Sequence, residues 1–130
     1  MIKTSDETYL CDIGQNISGY IRIQIDKDWK NEITIRYAES INEDGSLNLN
    51  KMERFYKESA FQTDRIIPCG TCFTWSPKFT YHGFRYILIS GLNKKPKKDS
   101  IKAVFVHQDI PRISDFACSD ENLNQLFNMG

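Results

Sequence analysis

The feature that most restricts what this chain can fold into is a two-residue alternation of isoleucines. Ile21, Ile23 and Ile25 alternate with Tyr20, Arg22, Gln24 and Asp26. Ile33, Ile35 and Tyr37 alternate in the same way with Thr34, Arg36 and Ala38. A period of two places the apolar side chains on one face of a pleated strand and the others on the opposite face. The stretch Asp26 to Glu32 between the two runs is rich in Asp, Lys and Asn, which suits a turn. Phe84 to Ser90 (FRYILIS) is β-branched and aromatic on both faces and predicts a central strand. Ile101 to His107 predicts another. Cys11 to Ile13, Asp64 to Ile67 and Phe73 to Tyr81 carry weaker strand signals, and Pro77 puts a break or an edge position in the last. Gly14, Gly19, Gly45, Gly70, Gly83 and Gly91 fall at or near the gaps, as turn residues do.

Strands separated by turn signals, without interleaved helices, predict an all-β, antiparallel β-sandwich. Its expected core is Ile21, Ile23, Ile25, Ile33, Ile35, Ile87, Val104 and Phe105. Asn42 to Ala60 opens with the turn signal Asn-Glu-Asp-Gly and reads as a long loop with room for one helical turn. Near the C-terminus the pattern changes. Ser119 suits an N-cap, Asp120 and Glu121 suit a first turn, and Leu123, Leu126 and Phe127 share one helical face. The expected organisation is a sandwich over 1–118 and, over 119–130, the start of a short helix that continues past Gly130. A helix this short is marginal alone in water. Leu123, Leu126 and Phe127 are therefore expected to have no intramolecular partner, or one only on a neighbouring copy.

Charge and cysteine usage narrow the function. Lys+Arg and Asp+Glu are both 17, a balance unlike the basic face that nucleic-acid binding needs. No apolar run approaches the roughly 20 residues that span a bilayer. The start, MIKTSDETYL, shows no signal-peptide h-region. Cys69-Gly-Thr-Cys72 has C-x-x-C spacing, but Cys11 and Cys118 are isolated and neither His82 nor His107 flanks the pair. A structural zinc site wants a second such pair or nearby histidines. A redox pair usually opens a helix, whereas CFTWSPKFTY reads as extended. The pair is read as two loop cysteines, and no metal is expected. No nucleotide-binding or catalytic-triad spacing occurs, so no cofactor is expected either.

Four segments, in order, resemble landmarks of the bacterial α-L-rhamnosidases. They are Asp12 to Ile23 (DIGQNISGYIRI), Pro77 to Gly91 (PKFTYHGFRYILISG), Val106 to Ile110 (VHQDI) and Phe116 to Leu126 (FACSDENLNQL). The resemblance implies a concanavalin-like (jelly-roll type) sandwich that precedes an (α/α)-barrel catalytic domain. It also implies that the chain's partner is the barrel of its own parent, a glycosidase acting on rhamnose-containing glycosides. The family's two catalytic carboxyl groups lie in that barrel, so the resemblance assigns no catalytic residue here. Cys69 to Cys72 is not a hallmark of the family, and Asn48 to Gln62 departs from its usual pattern.

Independently of the resemblance, the chain's acids fall mostly in turns: Asp26, Asp28, Glu43, Asp44, Asp99, Asp109, Asp120 and Glu121. Acids in turns are usually solvated. The densest aromatic cluster is Thr80 to Tyr86. Tyr81, His82, Phe84 and Arg85 within it are the candidate contacts, either to a sugar or to a neighbouring domain. Trp29, in the polar stretch Asp-Lys-Asp-Trp-Lys, is the better candidate of the two tryptophans for an exposed ring. Lys94, Lys95, Lys97 and Lys98 read as a solvated loop. Asp12, Gln15, Asn16 and Ser18 are expected either to shape a turn or to line a polar interface. Two functions fit: a non-catalytic domain that packs on and shapes a glycosidase, or a self-sufficient carbohydrate-binding module. A free-standing enzyme fits less well.

Overall fold

The computed structural model of the chain describes residues 1–5, 7–50 and 61–129. The strands are β1 (Ile2–Ser5), β2 (Thr8–Ile25), β3 (Ile33–Ala38), β4 (Ser40–Ile41), β5 (Leu47–Asn48), β6 (Thr63–Ile66), β7 (Phe73–Trp75), β8 (His82–Ser90) and β9 (Ile101–Phe105). Among the described residues a short 3-10 turn, Lys98–Ser100, precedes β9, and the α-helix α1 (Glu121–Met129) follows it. Every strand pair is antiparallel.

The architecture turns on β2, which is 18 residues long. One of its edges pairs first with β1 and then with β9; the other pairs first with β8 and then with β7. Beyond β8 the sheet continues through β3 to β6. The two halves of β2 thus have different neighbours, and the sheet curls into a sandwich. Its filling is one cluster: Ile21, Ile23 and Ile25 of β2, Ile33, Ile35 and Tyr37 of β3, Ile66 of β6, and Phe84, Ile87 and Ile89 of β8. The isoleucine alternation therefore lies where the sequence puts it, with Arg22 and Gln24 exposed between the buried positions.

The short strand expected at Cys11 to Ile13 is part of β2, and Gly14 and Gly19 lie inside that strand rather than in turns. At Gly19, which pairs with both His82 and Phe105, a Cβ would collide with the backbone carbonyl oxygen of Val104. The close approach of β9 requires the missing side chain. The run Phe73 to Tyr81 is extended only over β7, ending just before Ser76 and Pro77, whose ring offers no ladder donor. The turn Asn42 to Ser46 closes a small hairpin between β4 and β5 rather than a loop, with Asn42 N–H donating to the Ser46 carbonyl at 2.8 Å. The rest of that expected loop, 51–60, lies outside the described residues.

Two expected core residues are not in the core. Val104 is opposite Tyr20, on the face away from Ile21, and both are half-buried; Ala103, opposite Ile21, is itself exposed. Phe105 does share the inward face, but it is the last residue of β9, and its ring is 55% exposed and stacks on His107. Trp29 errs the other way, being only 2% exposed. Asp26 Oδ1 accepts the Asp28 N–H and the Asp26 carbonyl accepts that of Trp29, so the chain reverses and tucks the indole against the core.

The helix is capped by Asp120, not Ser119. Asp120 Oδ1 accepts the Asn122 N–H at 2.9 Å, and its carbonyl accepts that of Asn124. No residue of α1 is buried. Leu123 and Leu126 are exposed, as expected, whereas Phe127 has a local partner: it packs on Phe116 at 5.4 Å, with the Arg112 guanidinium over its ring.

Replacing Ile23 by Ala is expected to destabilise the sandwich by about 2–5 kcal/mol, the usual cost of a cavity in a filled core. Phe105→Ser, at the exposed end of β9, is expected to cost under about 1 kcal/mol. Urea unfolding of the two variants beside the unaltered chain measures the contrast.

Candidate functional site

At one end of the sandwich, three neighbouring strands build a polar cleft from residues that the chain's alternation brings together. β3 ends its inward series with Tyr37, where an isoleucine would leave no polar atom. β6 contributes Asp64 and β8 contributes His82. Tyr37 donates its hydroxyl to Asp64 Oδ2 at 2.7 Å, and its ring stacks on His82 at 4.2 Å. Phe84 tilts against the same ring at 4.9 Å. His82 Nε2 lies 3.4 Å from Asp64 Oδ2, an ion-pair contact when the ring is protonated, and makes no hydrogen bond to the described residues. Burial, the Asp64 charge and the hydrogen bond together push the Tyr37 hydroxyl far above the ordinary phenol range, so it is a neutral donor at every working pH.

Gln62 binds the three strands. It adopts a left-handed backbone, its carbonyl accepts the Tyr37 N–H at 3.0 Å, and its Nε2 donates to the Gly83 carbonyl at 3.0 Å. The cleft has a volume of about 580 Å³ and is bordered by Glu39, Gln62, Asp64, Thr80, Tyr81 and His82, among others. Two carboxyl groups therefore reach it. Asp64 is nearly buried and engaged by Tyr37, while Glu39 stands on the exposed rim. Glycoside hydrolysis by inversion needs two carboxyl groups facing one bond across roughly 6.5–9.5 Å, one of them held protonated. The bond from Tyr37 commits one oxygen of Asp64 to the fold.

The four candidate contacts are not brought together. Tyr81 is 63% exposed and the His82 ring, like Asp64, nearly buried, and both border the cleft. Phe84 is fully buried and has no surface to offer a ligand. Arg85 points elsewhere. Its Nε and Nη2 donate to the two carboxylate oxygens of Asp12 at 2.9 and 3.0 Å, and Asp12 Oδ1 also accepts the Gly14 N–H. The pairing register of β2 shifts between Asp12 and Ile17, and this fork clamps the bulge. Of the two readings for Asp12, shaping the backbone is the one the geometry supports. The bonds from Arg85 and then Gly14 hold its carboxyl below the usual range. The lysine loop is likewise folded onto its neighbours: Lys94 pairs with Asp26 at 2.8 Å and Asp28 at 3.2 Å.

Tyr37, Glu39, Gln62 and Asp64 were not singled out in the sequence. Tyr37 carried a usable signal, because a hydroxyl closing an inward-facing isoleucine series needs a buried acceptor. Asp64 carried none, being one acid in a weak strand. Among the described residues no group of three or more His, Cys, Asp and Glu is placed to hold a metal ion, and no helix is long and apolar enough to cross a membrane.

A curled antiparallel β-sandwich with a polar cleft at the mouth of β3, β6 and β8 defines the class of the molecule. The chain belongs to the bacterial alpha-L-rhamnosidase concanavalin-like domain family, whose model matches residues 2–107. It is 32% identical to an alpha-L-rhamnosidase of Formosa agariphila, over 99% of this chain and 14% of that protein. It is 31% identical to one of Streptomyces avermitilis, over 91% of this chain and 11% of that protein. Among solved structures it resembles the alpha-L-rhamnosidase from Dictyoglumus thermophilum (TM-score 0.79, 36% identity, 95% of this chain and 14% of that one). It also resembles the Streptomyces avermitilis enzyme complexed with L-rhamnose (TM-score 0.77, 30% identity, 95% and 12%). The chain thus spans only a small part of the length of these relatives.

Arg85→Met is expected to raise the Asp12 pKa toward the ordinary aspartate range. A carboxyl whose folded pKa is depressed adds stability above its unfolded pKa and loses it as pH falls through the folded value. The variant should therefore lose less stability than the unaltered chain on acidification through that window. NMR titration of the Asp12 side chain and urea unfolding at several pH values check both. Tyr37→Phe, which leaves Asp64 without its buried donor, is expected to cost about 1.5–3 kcal/mol, the range for a hydrogen bond to a charged group, measured by the same unfolding.

Proposed function

We propose that this chain is a non-catalytic β-sandwich domain of an α-L-rhamnosidase-like glycosidase, packing on the catalytic barrel and shaping its cleft. The parent enzyme would remove terminal α-L-rhamnose from glycosides by inversion. The observation that carries the reading is the alignment: nearly the whole chain matches one small portion of much longer alpha-L-rhamnosidases. The segment after β9 supports it. Val106, Ile110, Ile113, Phe116 and Leu126 are all exposed there, an apolar series that a partner would cover. In this reading 1–118 is the sandwich, and the helical segment from 119 leads toward the barrel.

A self-sufficient carbohydrate-binding module is the second reading. Two rings favour it: Phe79 is 100% exposed and Tyr81, beside the cleft, is largely so. Tyr81 and His82 then become sugar contacts, with Glu39 on the rim; in the first reading the same residues face the barrel.

The purified chain is expected to release no nitrophenol from an aryl α-L-rhamnoside, whereas a longer chain extended through the barrel is expected to turn it over. Turnover by the 130 residues alone, lost in Asp64→Asn or Glu39→Gln, would overturn the proposal. Chemical-shift changes in the chain on adding L-rhamnose, lost in Tyr81→Ala, would favour the binding module instead.

A further inference from the structure

The link from β6 to β7, residues 67–72, carries two thiols that neither the core nor the cleft uses. Cys69 and Cys72 are both free and exposed, and the chain bends between them at Gly70 and Thr71. Gly70 has a φ of 78°, a left-handed conformation that glycine adopts without strain and that bends the chain within the C-x-x-C spacing. A disulfide needs the two Cα atoms within about 7 Å, a separation that a bend over four residues allows.

The two thiols are not equivalent. The Thr71 hydroxyl lies 3.2 Å from Cys69 Sγ. Bonds from the Thr71 side chain and then its backbone N–H lower the Cys69 pKa. The Lys30 ammonium reaches the same turn, 3.9 Å from where a Gly70 Cβ would lie. Hydrogen-bond donors beside a solvent-open sulfur favour the thiolate, the form that attacks disulfides. Cys11 is the internal contrast, buried in the sandwich with its thiol pushed up by desolvation.

We propose that Cys69 and Cys72 form a reversible dithiol–disulfide site, with Cys69 the attacking thiol and Cys72 the resolving one. The oxidant is a low-molecular-weight disulfide. The Cys69 thiolate attacks one of its sulfurs and expels the first small thiolate, leaving a mixed disulfide on Cys69. The Cys72 thiolate then attacks the Cys69 sulfur and expels the second. Two electrons pass to the small molecule, which leaves as two thiols, and the protein loses two hydrogens. The new bond fastens the link into β7 next to Pro68, and excess small thiol reverses both steps. The site does not depend on the glycosidase reading.

The test uses the whole reduced chain with oxidised glutathione near neutral pH, read by thiol titration, intact mass and peptide mapping. The expected result is loss of two reactive thiols and two hydrogens, a Cys69–Cys72 link, and full recovery on reduction. Cys72→Ser should stop at one glutathionyl group on Cys69. Cys69→Ser should react about tenfold more slowly at its remaining exposed thiols. Three results would overturn the proposal: a link from Cys69 to Cys118 or to another chain, a mixed disulfide that persists in the unaltered chain, or Cys118 reacting as fast as Cys69.

Discussion

The hydrogen-bonded ladder along β2 is the constraint on which the rest of the fold depends. A strand of 18 residues has two edges to satisfy along its whole length, and four other strands are recruited to do so. Because the neighbours change along the strand, the sheet must curl, and curling brings the inward isoleucines of β2 onto those of β3 and β8. Two local devices make this compatible with a continuous strand. Gly19 lets the β9 backbone come close, and the Asp12–Arg85 fork holds the bulge where pairing with β8 shifts register. Removal of the isoleucines would empty the core, whereas removal of these devices would misalign it.

The cleft is a consequence of the same register. β3 lies between β8 and β6, so a residue at the end of its inward series faces both. Tyr37 occupies that position, and its ring and hydroxyl tie His82 and Asp64 into the end of the core. The polar residues there are therefore partly structural, and what remains available at the surface is Tyr81, Thr80 and Glu39. This division explains how one end of the sandwich can be both well ordered and chemically presentable to a sugar or to a neighbouring domain.

Strand positions were legible in the sequence wherever alternation was strict, since burial on one face of a sheet leaves a period of two. Ile21 to Ile25 and Ile33 to Tyr37 are the clear cases. Legibility failed where a residue's surroundings depend on its partners across the sheet. Val104 and Phe105 look like core residues in their own strand, but the register against Tyr20 turns Val104 to the other face, and the end position of Phe105 leaves its ring exposed. Trp29 looks solvated among charges, and only the Asp26 turn shows that its ring is folded inward. For the site, Tyr81 and His82 were found from aromatic density. Asp64 was not, because its meaning comes entirely from Tyr37, 27 residues away in the chain. The family resemblance was legible for a different reason: its landmarks are spread over nearly the whole chain and occur in order.

The central functional claim is that the apolar stretch after β9 is a docking surface for a catalytic domain of the same protein. Hydrogen exchange tests it most directly, comparing this chain alone with a longer chain that includes the barrel. The account predicts that amides of 106–129 exchange rapidly in the chain alone and become strongly protected in the longer one, while β2, β3 and β8 are protected in both. Equal, strong protection of 106–129 in the chain alone, or continued rapid exchange beside the barrel, would contradict it.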